Sequence, residues 1–348
     1  MLKVGIVGLP NAGKSTLFNA LVEKPQARTE PRPFTTIDKN AGVVKVPDET
    51  LVELAKLHNI GKITYATIEF VDIAGLIKGA HQGEGLGNEF LGHIKEVDLI
   101  LHVLRYFKDE RVPHVHQKID PEEDYAIVNQ ELILKDMETV EKRMKRKKVS
   151  AEEKEFLKKL LEHLDKGKFA KDYPFSKKER EWVEALFLLT LKPQVVVGNI
   201  GEEDIGKDLG RVNGEKVIPV CARLEAELSS LPWTEKRAFM KEVGLKESAK
   251  RKLIRVCYER LGLITFYTVA KGSEARAWSV EKGTSIWEAA GKIHSDFQRH
   301  FVKAFVIKAP ELLKIGTFQK AVEEGKVKVV GREYIVEEGD VIEIKAGK

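Results

Sequence analysis

Cysteine is scarce in this chain: Cys221 and Cys257 are the only two among 348 residues. Two thiols, lying in separate strand-like and helix-like runs, cannot build a disulfide framework or a cysteine zinc site. Long apolar runs are missing too, since no stretch reaches the roughly 18 residues that a membrane span requires. The opening residues MLKVGIVGLPNAGKST read as a strand entering a loop, without the apolar core and cleavage site of a secretory signal. A cytoplasmic location with no membrane partner is therefore expected. Charge is nearly balanced: 59 basic against 54 acidic side chains leave +5, with a pI of about 8.8. Such mild basicity admits an RNA-rich partner without requiring one. No low-complexity linker or internal repeat stands out. What is present is a hydrophobic share of 43%, enough to bury sizeable cores. The length corresponds to roughly two or three domains.

Residues 2–7, LKVGIV, make a short apolar run of the kind that forms a buried parallel strand. A glycine-bearing loop follows, then STLFNALVEK, in which Leu17, Ala20 and Leu21 share a helical face. Further strand-like runs are ATIEFVDIA (66–74), DLILHVLRYF (98–107), QVVVGNI (194–200) and KVIPVCA (216–222). Helical patterns lie between several of them, and that alternation predicts an α/β domain on a largely parallel sheet. Between 107 and 194 no convincing strand occurs. Residues 130–147 instead space Ile133, Met137, Val140 and Met144 as a coiled-coil-like seam, and 151–164 repeats the idea with Leu157, Leu160, Leu161 and Leu164. A third helix is expected over 176–191, carrying Trp182, Val183, Leu186 and Phe187.

Residues 126–192 are thus predicted to form an antiparallel helical hairpin inserted between the two parts of the sheet domain, 1–125 and 193–263. The basic run KRMKRKK (142–148) falls at its tip, either as a solvated helix end or as a nucleic-acid contact. After a helix near 248–262, the runs ITFYTVA, ARAWSV, KAFVI and YIVEEGDVIEIK read as short strands around one amphipathic helix, SIWEAAGKIHSDF (285–297). That describes a small α+β module over 264–348. Its lysines Lys303, Lys308, Lys314, Lys320, Lys326 and Lys328, interleaved with Phe301, Phe305 and Phe318, suit either solvation or RNA contact.

The strongest chemical signal is Gly8-Leu9-Pro10-Asn11-Ala12-Gly13-Lys14-Ser15, a G-x-x-x-x-G-K-[ST] motif between a predicted strand and a predicted helix. Glycines let successive backbone N–H groups wrap phosphates, and the helix N-terminus adds positive potential. The expected nucleotide-binding set is Asn11, Ala12, Gly13, Lys14, Ser15 and Thr16. Lys14 reaches the β- and γ-phosphates, and the Ser15 hydroxyl ligates Mg²⁺. Asp72-Ile73-Ala74-Gly75 ends the strand ATIEFVDIA, where Asp72 can hold Mg²⁺ through water and the Gly75 N–H can meet the γ-phosphate. Between these pieces, Pro33-Phe34-Thr35-Thr36-Ile37 is a switch segment, with Thr36 expected to complete the Mg²⁺ shell and Thr35 its competitor.

On the base side, Asn199-Ile200-Gly201-Glu202 follows the strand QVVVGN. GTPases carry N-K-x-D there, the Asp accepting from guanine N1–H and N2–H₂. Here the lysine is Ile200 and the aspartate is the longer Glu202, so guanine selection is in doubt while Asn199 can still meet a base edge. Cys221-Ala222-Arg223 stands where GTPases place S-A-K, whose backbone approaches the base.

Together these segments resemble the Obg-related translation-factor GTPases, and within them the YchF (Obg-like ATPase) family. The resemblance runs through GLPNAGKSTLFNAL, PFTTIDKNAGVVKVPD, VDIAGLIKGAHQGEGLGNEFL, NIGE and the closing YIVEEGDVIEIK, nearly the whole chain. It implies a Ras-like P-loop domain, an inserted coiled-coil domain and a C-terminal TGS domain of ubiquitin-like β-grasp fold. It also implies ATP preferred over GTP, slow hydrolysis and association with ribosomes; a monomer is expected. Where Ras-like sites orient water with glutamine, this chain has Leu76. The resemblance points instead to a histidine after the 98–107 strand, and His114 occupies that place. A neutral imidazole can orient or deprotonate water, against the reading of His114 as a surface loop residue. Asn11 matches an asparagine that holds K⁺ beside the phosphates in potassium-activated relatives, against that of an ordinary turn residue. Two other readings stay open: a GTP-specific Obg-type enzyme, and a nucleotide-gated RNA-binding module with incidental hydrolysis.

Overall fold

The computed structural model describes residues 2–22, 41–73, 92–115, 118–229, 231–245, 247–270 and 273–347. Two compact units emerge: Met1–Val44 with Glu69–Leu253, and Lys45–Ile68 with Ile254–Lys348.

In the first unit β1 (Leu2–Val7) leads to α1 (Lys14–Val22) and β2 (Ala41–Lys45). α2 (Glu49–Leu57) and β3 (Ile63–Thr64) belong to the second unit, and β4 (Thr67–Asp72) returns the chain to the first. With β5 (Leu99–Arg105), β6 (Gln194–Asn199), β7 (Arg211–Val212) and β8 (Glu215–Val220), these strands form a sheet of order β2-β4-β1-β5-β6-β8-β7. β1, β5, β6 and β8 pair in parallel, with Val4 opposite Leu99, Ile100 opposite Gln194 and Val196 opposite Val217. This is the predicted parallel sheet. Every residue of β5 and β6 is buried, as expected of parallel strands covered on both faces. Parallel strands end at a common edge, so the segments following β1, β5, β6 and β8 are gathered there. The end of β4 joins them, because the Ile73 N–H donates to the Ile6 carbonyl at 3.1 Å.

Among the described residues three α-helices occupy the segment between β5 and β6. α3 (Pro121–Met144) starts at an Asp120 cap that accepts from the Glu123 N–H, with proline in the first turn. α4 (Ala151–Asp165) is capped by Ser150, and α5 (Lys177–Glu184) by a Ser176–Glu179 capping box. Ile133, Val140, Leu157, Leu160, Leu164 and Val183 form their shared core, which is the predicted seam. Beyond α3, Lys145, Arg146, Lys147 and Lys148 are exposed.

Three expectations about this segment need correction. A boundary at 126 cuts through α3, whose Ile127, Val128 and Leu132 pack with Val7 and Ile100 in the α/β core. The helical segment 126–192 is therefore rooted in the sheet and shares its unit. The third helix stops at Glu184. Phe187, assigned to its apolar face, is 68% exposed in a left-handed turn at φ 51°. The return to the sheet is fixed by Asp136, whose buried carboxylate accepts from the Leu189 and Thr190 N–H groups at 2.7 and 2.8 Å and from the Thr190 hydroxyl at 2.6 Å. α6 (Ala222–Ser229), α7 (Trp233–Glu242) and α8 (Ala249–Arg260) follow β8, and α6 packs on α1.

The second unit has β9 (Leu263–Ala270), β10 (Glu274–Glu281), α9 (Ile286–Ile293), α10 (Ser295–Arg299) and β11 (Phe301–Lys308). α11 (Ala309–Ile315), α12 (Phe318–Glu323), β12 (Lys328–Val330) and β13 (Asp340–Ala346) complete it. The sheet order is β12-β11-β13-β9-β10-β3, with antiparallel β9–β10 and β11–β13 pairs and a parallel β13–β9 contact at Val341 and Tyr267. An α+β unit was expected, but the single helix over 285–297 is two helices. His294 adopts extended backbone (φ −163°, ψ 141°), and its side chain accepts from the Asp296 N–H to start α10. A boundary at 264 also leaves out part of the unit. Leu51, Leu54 and Ala55 of α2 pack against Tyr267, Ala275, Ala277 and Leu312, an apolar face completed by residues some two hundred positions away. On the opposite face Phe266, Val280, Ile286, Ala290, Val306 and Ile342 make a second core. Lys308 spends its charge internally on Asp340 and Glu337, at 2.8 and 2.9 Å. Among the described residues no helix is long and apolar enough to cross a membrane.

His102, in the middle of β5, is a core residue: it is buried, stacked on Tyr125 at 5.2 Å, and neither ring nitrogen has a hydrogen-bond partner among the described residues. Burial, reinforced by the charge of Lys14, pushes its pKa down to about 3. Protonation therefore favours the unfolded chain, where the imidazole titrates near its ordinary value. The stability tied to His102 is whole above about pH 6.5 and is lost as pH falls toward 3, by up to about 1.4 kcal/mol per pH unit. His102→Phe keeps the stack and removes the titration. Urea unfolding at pH 7 and pH 5 should show wild type losing about 2 kcal/mol more than the variant.

Candidate nucleotide-binding site

Residues 8–15 connect the end of β1 to the first turn of α1, as the motif requires. Gly8 (φ 153°) passes so close to β5 that a Cβ would stand 2.4 Å from the Val103 carbonyl oxygen. At Gly13 (φ 91°) a Cβ would stand 2.1 Å from the Asn199 Nδ2. Both positions exclude any side chain. Asn11 adopts φ 63°, a left-handed conformation that asparagine tolerates better than most residues. The resulting loop leaves Asn11, Ser15 and Thr16 exposed and Ala12 and Lys14 buried.

The Lys14 ammonium donates to the Leu9 carbonyl at 3.0 Å, closing the loop on itself. Burial lowers its pKa below the ordinary lysine value, and the nearby Asp72 carboxylate opposes that shift. A buried cation with one carbonyl partner among the described residues is poorly solvated, and phosphate oxygens are the groups that could supply what it lacks. Asp72 is half-buried, and its Oδ1 is buried without a hydrogen-bond partner among the described residues. Ser15 and Asp72 offer hydroxyl and carboxylate oxygens, the donors a hard cation such as Mg²⁺ takes. The Asp72 oxygen lacking a partner fits such an ion. Thr36, Thr35, Gly75 and Leu76 lie outside the described residues.

Asn199 joins the phosphate loop to the base-side loops. Its Nδ2 donates to the Ala12 carbonyl at 2.9 Å, and its Oδ1 accepts from the Ala222 N–H at 3.1 Å. One Nδ2 proton remains for a base edge. Ile200 and Cys221 do not point toward a ligand: both are buried in a cluster with Leu224 and Leu228. They can serve the site through backbone only. Burial pushes the Cys221 thiol up. Glu202 is exposed at the start of a short 3₁₀ turn, Glu202–Asp204.

His114 is not a surface side chain. It is 5% exposed, and its Nε2 lies 3.0 Å from the Asp124 carboxylate in the first turns of α3. The preceding Pro113 carbonyl accepts from the Asn11 Nδ2 at 3.0 Å, so the phosphate loop and the His114 loop are directly bonded. That bond uses one of the two Asn11 Nδ2 protons, and Oδ1 is the Asn11 atom able to meet a cation. Asp124 is absent from the candidates drawn from sequence. The signal that could have found it is the Asp120-Pro121 helix start, which puts Asp124 on the first turns beside the histidine loop.

A family model described as a 50S ribosome-binding GTPase matches residues 3–162, and one named YchF-GTPase_C, described as a protein of unknown function, matches 263–347. The Bacillus subtilis protein named Ribosome-binding ATPase YchF is 44% identical, with 99% of each chain covered. The protein of that name from Escherichia coli O157:H7 is 40% identical, with 98% of each covered. A solved structure, that of the Schizosaccharomyces pombe YchF GTPase, superposes with a TM-score of 0.85 at 34% identity, covering 99% of this chain and 97% of that one. This chain belongs to the YchF family. Membership rests on both units, since the relatives match from end to end. In this YchF-family chain the α/β P-loop fold agrees with the GTPase-family match over residues 3–162.

Asn199→Ala strands the Ala12 carbonyl and the Ala222 N–H in buried surroundings, at about 1–3 kcal/mol for each group. Titration with a fluorescent nucleoside triphosphate should show affinity weakened about tenfold or more.

Proposed function

We propose that this protein is a Mg²⁺-dependent nucleotide switch that binds and slowly hydrolyses ATP, accepts GTP less well, and associates with ribosomes. The base-side loop carries this reading: Asn199 is fastened as in a nucleotide site, yet Ile200 is buried in an apolar cluster and Glu202 is exposed. No lysine flanks the phosphate loop there, and the longer carboxylate of Glu202 suits guanine N1–H and N2–H₂ poorly. Ribosome association rests on the names of the bacterial relatives and on the mild net basicity. The S. pombe relative is named a GTPase, which keeps a GTP-specific enzyme as the second reading.

In this proposal Ser15, Thr36 and Asp72 would hold Mg²⁺, which would neutralise charge on the β- and γ-phosphate oxygens. Lys14 and the Gly75 N–H meet the γ-phosphate, with Asn11 through Thr16 wrapping the remainder. The Asn11 Oδ1 is the donor available if K⁺ binds beside them. His114 takes the water-orienting place that Leu76 cannot fill, and without a switch glutamine turnover is slow. The helices of 121–165 act as a coiled-coil arm, and the second unit as a TGS-like β-grasp module, a reading supported by its mixed sheet of order β12-β11-β13-β9-β10-β3. The protein works as a cytoplasmic monomer.

Equilibrium binding of ATP and GTP analogues at fixed Mg²⁺, to wild type and to Glu202→Asp, tests the base reading. Wild type should bind ATP more tightly, and the variant should shift toward GTP. Tighter GTP binding by wild type would return the protein to the GTP-specific class.

A further inference from the structure

We propose that Asp124 positions His114 for attack of water on the γ-phosphate, an inference that rests on the catalytic reading of His114 given above. Three observations place the aspartate in this role. Its carboxylate lies 3.0 Å from the His114 Nε2, with both side chains at or below 5% exposure. It sits in the first turns of α3, where the positive end of the helix favours a negative charge. The buried Arg105 guanidinium interacts with it electrostatically from β5. Arg105 is itself held by the Phe107 and Asp109 carbonyls at 3.3 and 3.1 Å and by the Phe107 ring at 4.4 Å. The histidine is thus gripped from the helix, while Asn11 grips the adjacent Pro113 carbonyl from the phosphate loop.

A carboxylate that accepts from Nε2–H fixes one tautomer of the neutral ring and puts the lone pair on Nδ1. This is the arrangement in which a third group orients a base. In the step, Nδ1 accepts a proton from the water as its oxygen bonds to the γ-phosphorus. The bond from the γ-phosphorus to the β–γ bridging oxygen breaks, and ADP leaves with that electron pair. The imidazolium so formed is stabilised by the Asp124 charge, and its proton returns to the released phosphate or to solvent. Asp124 touches neither water nor nucleotide in this scheme, so its effect is on the chemical step and not on binding.

Steady-state ATP hydrolysis by the full chain tests this in wild type, His114→Ala, Asp124→Asn and the double variant. Asp124→Asn should lower kcat about tenfold or more, with KM for ATP within about twofold, and the double variant should fall no further than His114→Ala. Nitrogen-15 spectra of the wild-type histidines should show His114 as the Nε2–H tautomer, a readout that stands even if the variant folds poorly. An Nδ1–H tautomer in wild type overturns the proposal. So does an Asp124→Asn enzyme with unchanged kcat beside an impaired His114→Ala, or one whose kcat rises, since the aspartate would then restrain the histidine. If His114→Ala itself hydrolyses ATP normally, the catalytic reading of the histidine falls first and this inference with it.

Discussion

The side-chain amide of Asn199 is the joint on which the first unit's site depends. One planar group at the end of β6 satisfies the Ala12 carbonyl in the phosphate loop and the Ala222 N–H at the start of α6. An amide can do this because it carries a donor and an acceptor a fixed distance apart. Gly13 must be glycine because that amide fills the space a Cβ would take. The strand end, the phosphate loop and the base-side loop are therefore set by one another, and the order of parallel strands puts all three on one edge.

A second set of buried polar contacts ties the long helical segment to the same edge. Asp124 meets His114 at one end of α3, and Asp136 collects the backbone at 189–190 one helical stretch later. Apolar packing of Ile127, Val128 and Leu132 against the sheet supplies the burial that makes such contacts costly to leave unmade. The Pro113 carbonyl, bonded to the Asn11 amide, carries this set of contacts on to the phosphate loop.

The second unit shows a different economy. Its sheet buries two faces, and one of them is completed by α2 and β3, drawn from the sequence between β2 and β4. A lysine-rich surface there is less basic than its composition indicates, because Lys308 is neutralised by Asp340 and Glu337 and Lys345 pairs with Glu343.

Much was legible before any coordinates. The P-loop, the parallel strands, the apolar seam of α3 and α4 and the α+β character of the C-terminal part all follow from local spacing, because backbone periodicity and phosphate chemistry act over a few residues. Asp72 and Asn199 could be placed at strand ends for the same reason. What the sequence could not show is pairing across distance. Asp124 against His114, α2 against the C-terminal sheet, and Ile200 and Cys221 packed in one core with Leu228 are contacts that no local signal announces. His294 broke a helix that amphipathic spacing had drawn as continuous, because a cap hydrogen bond outweighed periodicity there. The sequence by itself determined the parallel strands and the place of the phosphate-loop motif between the first strand and helix, since both are short-range demands on residue type. Only the tertiary structure decided which polar groups meet in the interior, because burial leaves each of them without water and obliges it to take whatever partner the packing brings.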